Sequence, residues 1–173
     1  MKNSLNLAWV FIVIVMVVFG VGYFLQNKER LELSKENTAD LTKLYRIAGA
    51  SMEPNYKNGE MVKVDENIYQ KSVPSHGDVI AFKFEYAKDV IVKRVAAVPG
   101  NQLLFKENEI FINNQKISTA TKYNYAVWKL NSPMVIPENM YFVLSDNPAG
   151  WEDSRKWGFV PFKAIIGKVI KNN

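Results

Sequence analysis

Nineteen consecutive residues without a charge, Leu7 to Leu25, constrain this chain more than any other feature in it. As an α-helix rising about 1.5 Å per residue the run is roughly 28 Å long, close to the hydrocarbon thickness of a bilayer. It reads as a transmembrane anchor over residues 7–25, with residues 1–6 as a short N-terminal tail. The rival is a cleavable signal peptide, whose apolar core usually holds only about 7 to 15 residues and ends at a small-x-small site. Gly20-Val21-Gly22 is the one such site, and it lies inside the apolar run, which favours a retained anchor.

Charge does not decide on which side of the membrane the remainder sits. Lys2 and the terminal amine precede the span, while Lys28, Arg30 and Lys35 follow it, a balance that by Lys and Arg alone would keep the long segment inside. Long segments translocate regardless of nearby charge, and Glu29, Glu32 and Glu36 dilute the basic cluster. The absence of cysteine is compatible with either face. A net charge of +5 suits an anionic lipid surface, and no pairing of bases with aromatics points to nucleic acid.

Residues 26–43 are polar and charged, without glycine or proline, and read as a stalk. From residue 44 to 173 the pattern changes to short apolar runs bounded by turn residues. Eight strands are expected: Leu44–Ala48, Met61–Val64, Asp78–Phe84, Val90–Val98, Gln102–Phe105, Glu109–Ile112, Tyr141–Leu144 and Ile165–Ile170. With no long amphipathic helix between them, the fold class is mainly β, an antiparallel sheet system behind one N-terminal helix. Residues 118–137, with Tyr123, Tyr125 and Trp128, read as a long loop or an extra hairpin.

Candidate chemistry narrows by elimination. His76, the single histidine, sits in the turn-like stretch P-S-H-G-D, and the several His or Cys ligands that zinc prefers are missing, so no metal and no organic cofactor is expected. Asp146 and Asp153 lie among Asn, Ser, Arg and Gly, a composition that makes hydrogen-bonded turns more often than paired acid-base carboxylates. Ser51 lies in I-A-G-A-S-M-E-P-N-Y, where Gly49 and Ala50 leave room for a substrate carbonyl and Pro54 turns the chain out of any helix. Lys93 lies in V-I-V-K-R-V, with Ile91 and Val95 on its own face of a strand. Desolvation there lowers the amine's pKa and makes it a general base able to take the proton of Ser51, with the Ser51 N–H helping to hold an oxyanion. Read singly, both residues keep a bland alternative: a turn serine without chemistry, and a lysine whose stem packs while its head reaches water.

Four ordered motifs carry more weight together. Ser51-Met52-Glu53-Pro54, Gly77-Asp78-Val79-Ile80, Lys93 to Gly100, and Asp146 to Gly158 match S-M-x-P, G-D-V/I, K-R-V-x-x-x-P-G and D-N-x-x-x-x-x-D-S-R-x-W-G. In these the chain resembles the type I signal peptidases, membrane-anchored Ser-Lys proteases that remove signal peptides from exported proteins. The resemblance implies Ser51 as nucleophile, Lys93 as general base and Met52 as a residue shaping the site. It implies Arg94, Asp146, Asp153, Ser154 and Arg155 as the polar set that holds the site. Gly49 and Ala50 before the serine, and Val90, Ile91 and Val92 before the lysine, would line a groove where an extended peptide adds as a strand. Substrates would be preproteins with A-x-A-like ends, cleaved at the bilayer on the extracytoplasmic face; pilins and the secretion machinery are further expected partners.

Departures from the pattern are Ser145 for a glycine, Pro148 for an arginine, Asn101 for an aspartate, and Trp151 where a serine usually meets the lysine. An indole there would aid desolvation or fill space that substrate needs. Two other readings have counterparts in this fold: a non-proteolytic module for pilus or surface-protein assembly, and a self-cleaving repressor. The membrane span and the lack of a DNA-binding module disfavour the second.

Overall fold

The computed structural model describes residues 4–38, 42–107, 109–119, 128, 131–147, 149–150 and 152–170. The chain divides into two compact units, residues 1–41 and 42–173. In the first, helix α1 (Ser4–Thr38) contains the segment Trp9–Arg30, long and apolar enough to cross a membrane. Its apolar side chains, among them Trp9, Phe11, Met16, Phe19 and Phe24, are exposed.

The second unit holds eleven described strands: β1 (Thr42–Arg46), β2 (Met61–Asp65), β3 (Val79–Phe82), β4 (Ile91–Ala97), β5 (Gln102–Lys106), β6 (Glu109–Ile112), β7 (Gln115–Thr119), β8 (Met134–Val135), β9 (Met140–Leu144), β10 (Val160–Pro161) and β11 (Ile165–Ile170). A four-residue helix, α2 (Ser154–Trp157), follows β9. A seven-stranded sheet runs in the order β1-β2-β11-β3-β4-β9-β10, and a four-stranded sheet in the order β7-β6-β5-β8. Every described pairing is antiparallel.

All eight expected strands are present, most trimmed or extended by a residue or two. β1 differs most: it starts at Thr42, inside the expected stalk, and ends at Arg46, before the chain turns toward Ser51. Three strands were not expected. β7 is polar and pairs with β6 through Asn113 and Asn114, both at positive φ, the geometry that a two-residue hairpin turn requires. β8 and β10 are two residues each, too short to show a period. Tyr123 and Tyr125 lie outside the described residues.

Side-chain alternation builds three apolar clusters. In β3, Val79 and Ala81 point into one, with Val64, Val92 and Val169, while Ile80 and Phe82 point into another, with Val95, Tyr141 and Val143. In β9, Tyr141 and Val143 join that second cluster, whereas Phe142 turns the other way into the core of the smaller sheet, against Phe105 and Trp128. Covering both faces of the middle strands fixes β4, which carries Lys93, within a rigid frame. A bulge in the β11–β3 pairing lies between Ile165 and Gly167, and at Gly167 any Cβ would fall on the Asp65 backbone.

Candidate active site

Ser51 is held on a loop bound at both ends. Ile47 N–H donates to the Glu60 carbonyl at 2.8 Å and Gly59 N–H to the Ile47 carbonyl at 2.8 Å, closing the loop at its base. Gly49 adopts φ +83°, a conformation that glycine enters without strain, and its N–H donates to Asn58 Oδ1 at 2.9 Å. Met52 is fully buried beside Ile47 and Tyr56. It therefore anchors the loop from beneath, next to the serine.

Lys93 reaches Ser51 from β4: its Nζ and Ser51 Oγ are 2.5 Å apart, across 42 residues of sequence. The lysine is 3% exposed. Burial lowers its pKa from 10.5 to about 8, against the opposing pull of Asp153, Glu152 and Asp146. An amine with that value is unprotonated in roughly a tenth of molecules at pH 7, and can exchange a proton with the hydroxyl it touches. The Ser51 N–H makes no hydrogen bond within the described residues and remains available as a donor.

Two ion pairs fix the frame. Arg94, next to the lysine and on the opposite face, grips Asp146 through Nε at 2.7 Å and a terminal nitrogen at 2.6 Å, and donates to the Gly77 carbonyl at 2.8 Å. Asp146 also accepts from Asn55 Nδ2 at 2.9 Å. Asp153 caps α2, accepting from Arg155 N at 3.1 Å, Arg155 Nε at 2.9 Å and the Ser145 N–H at 2.9 Å. The Asp153 and Arg155 side chains are 0% and 4% exposed, so each charge depends on the other. Ser154 Oγ accepts from Val143 N–H at 2.9 Å, tying α2 to β9.

The five supporting residues thus form two separate ion pairs and a hydrogen bond to β9, and the charges of Asp153, Asp146 and Arg155 act on the Lys93 amine. Val92 is buried and offers only backbone to a ligand, while Val90 and Ile91 are partly exposed. Ile91, Val92 and Lys93 pair with β3 on one side only, because β9 begins to pair at Arg94. Among the described residues, that half-strand has no strand partner on its β9 side. Trp151 and Pro148 lie outside the described residues, and Asn101 holds its turn by accepting from Val98 N–H at 3.1 Å.

Residue patterns missed two contributors. Asn147 N–H donates to the Ser51 carbonyl at 2.9 Å, and its Nδ2 to the Ala50 carbonyl at 3.0 Å, so the turn after β9 clamps the serine loop. Its place beside Asp146 was the available signal. Trp128 Nε1–H is shared between the carbonyls of Ser154 at 3.1 Å and Arg155 at 3.0 Å. A tryptophan in an unassigned segment gave no hint of that reach.

Several known proteins are similar to this chain. The chain is 26% identical over 135 residues to the probable signal peptidase I-2 of Synechocystis sp., spanning 59% of that protein's length. It is 32% identical over 142 residues to signal peptidase IB of Staphylococcus aureus, covering 72% of this chain and 74% of that one. A crystal structure of a signal peptidase I from Enterococcus faecalis V583 aligns with a TM-score of 0.43 at 28% identity, over 57% of this chain and 97% of that one. The profile of the family described as signal peptidase, peptidase S26, matches residues 37–171, and the chain belongs to that family.

Proposed function

We propose that the protein is a membrane-anchored serine endopeptidase that removes N-terminal signal peptides from exported preproteins. The contact between Ser51 Oγ and the buried Lys93 amine carries this reading. In its neutral form Lys93 accepts the Ser51 hydroxyl proton as Oγ adds to the scissile carbonyl carbon. Negative charge develops on the carbonyl oxygen, and the Ser51 N–H is placed to donate to it. The resulting Lys93 ammonium then gives its proton to the departing amine, leaving an ester on Ser51. Water, deprotonated by the same amine, hydrolyses that ester and restores both residues.

Substrate binding follows from the unpaired half-strand at Ile91 to Lys93. An extended peptide that adds there makes backbone hydrogen bonds and needs only small side chains near the serine, the character of an A-x-A-like end. The apolar helix α1 is the candidate anchor, and the extracytoplasmic face is where signal-peptide ends emerge.

Cleavage of a panel of preproteins by the full-length protein in detergent, at pH 7 and pH 9, tests the reading. Wild type is expected to cut after small-x-small sequences and faster at pH 9, while Ser51→Ala and Lys93→Ala lose activity to a similar extent. If the two variants match wild type, or if no preprotein is cut, the protease reading is wrong and a binding role in surface-protein assembly takes its place.

A further inference from the structure

The site leaves one hydroxyl unused. Ser145 Oγ is buried and has no hydrogen-bond partner among the described residues. An orphaned buried hydroxyl is costly to keep, so its surroundings are informative. In the β4–β9 pairing, Val95 stands opposite Val143 and Arg94 opposite Leu144. The next step of that register sets Ser145 opposite Lys93, and opposed residues of an antiparallel pair present their side chains on the same face. Two further observations place the hydroxyl in the lysine's neighbourhood. Ser145 N–H donates to Asp153 Oδ2 at 2.9 Å, and Asp153 is foremost among the charges acting on the Lys93 amine, ahead of Glu152 and Asp146, with Arg155 opposing them. On the other side Gly150 closes the space, since a Cβ there would stand 3.2 Å from Ser145 Oγ.

A buried ammonium has three N–H groups to satisfy. Lys93 directs Nζ at Ser51 Oγ, and no second acceptor engages it within the described residues. Acylation makes the demand acute, because in the tetrahedral intermediate Ser51 Oγ is bonded to the former carbonyl carbon and no longer offers the lysine a free hydroxyl, while Lys93 carries the proton just taken from it.

We propose that Ser145 is a positioning residue for Lys93: its hydroxyl accepts a hydrogen bond from the protonated amine and holds it until the proton passes to the departing amine. The assignment rests on the Ser-Lys protease reading and deepens it. Removing the acceptor disfavours the ammonium, so the lysine gives up its proton at lower pH and is less well aimed once charged.

The test is the titration of Lys93 in the full-length protein in detergent micelles. Lysines carry 13C at Cε, the Lys93 signal is assigned by its loss in Lys93→Arg, and wild type is compared with Ser145→Ala and Ser145→Gly. In both variants the titration midpoint is expected to fall by up to about one pH unit, the equivalent of a tenfold change in proton affinity. On a small-x-small peptide, kcat falls roughly tenfold with KM unchanged, the size expected for one hydrogen bond to a charged group. A change in packing alone leaves the midpoint where it was, and an unmoved midpoint in both variants overturns the proposal. Failure of both variants to fold would assign the hydroxyl to stability and overturn it as well. A midpoint that moves in a protein that cleaves nothing keeps the contact and removes the protease reading, whereas cleavage with an unmoved midpoint does the reverse.

Discussion

Burial lowers the Lys93 amine from an ordinary value of 10.5 to about 8, so the native domain holds that proton less firmly than the unfolded chain does. Between those two values the unfolded state binds more protons, and stability therefore rises with pH through the window. Below pH 8 the full penalty is present, on the order of 3 kcal/mol for a shift of that size. Lys93→Met, which keeps length and removes charge, is expected to abolish cleavage yet raise the unfolding free energy at pH 7 by about 1–3 kcal/mol, with the gain shrinking toward pH 10. Denaturant unfolding of both proteins at the two pH values measures it, and a variant less stable than wild type at pH 7 contradicts the account. Part of this was legible beforehand. Strand alternation placed Lys93 among aliphatic neighbours, but no local pattern brings it within 2.5 Å of a serine 42 residues away. The order of four motifs supplied that link. Asp146 and Asp153 do form the hydrogen-bonded turn that their composition indicated, with the addition that each is also gripped by an arginine.

Apolar runs marked elements well where both faces of a strand are buried, as in β3 and β4, and poorly where hydrogen bonding alone defines the element. β8 and β10 have two residues each, and α2 is a single turn held by the Asp153 cap and the Trp128 indole rather than by helix propensity. Glycine at 167 is a different kind of hidden information: nothing near it in the chain shows that the Asp65 backbone lies against its α-carbon. Gly167→Ala is expected to push β2 and β11 apart and cost about 1–3 kcal/mol or more of stability, read as a lower Tm. Because Lys168 and Val169 pair with Asp65 and Val64 beside it, unchanged stability would mean that the two strands separate without strain.

At the scale of the whole molecule, a candidate span and a β-domain make a chain whose proposed function depends on which side the domain occupies. The natural sequence has no cysteine, so a single introduced thiol reports topology cleanly. Tyr86 is 80% exposed, and Tyr86→Cys is expected to react with a membrane-impermeant maleimide in intact cells; labelling only after lysis would put the domain in the cytoplasm. Strand order adds a constraint on timing. β11, almost the last segment of the chain, lies between β2 and β3 in the larger sheet. A ribosome delivers β2 and β3 about 270 Å or more of extended chain before it delivers their shared neighbour, at roughly 3.3 Å per residue. Until Ile165–Ile170 emerge, the sheet has a gap at its centre and the two halves of the site have no common frame. The sheet that joins the Ser51 loop to the Lys93 strand therefore closes only with residues 165–170 in place, and a chain stopped short of β11 is expected to leave nucleophile and base without a shared support.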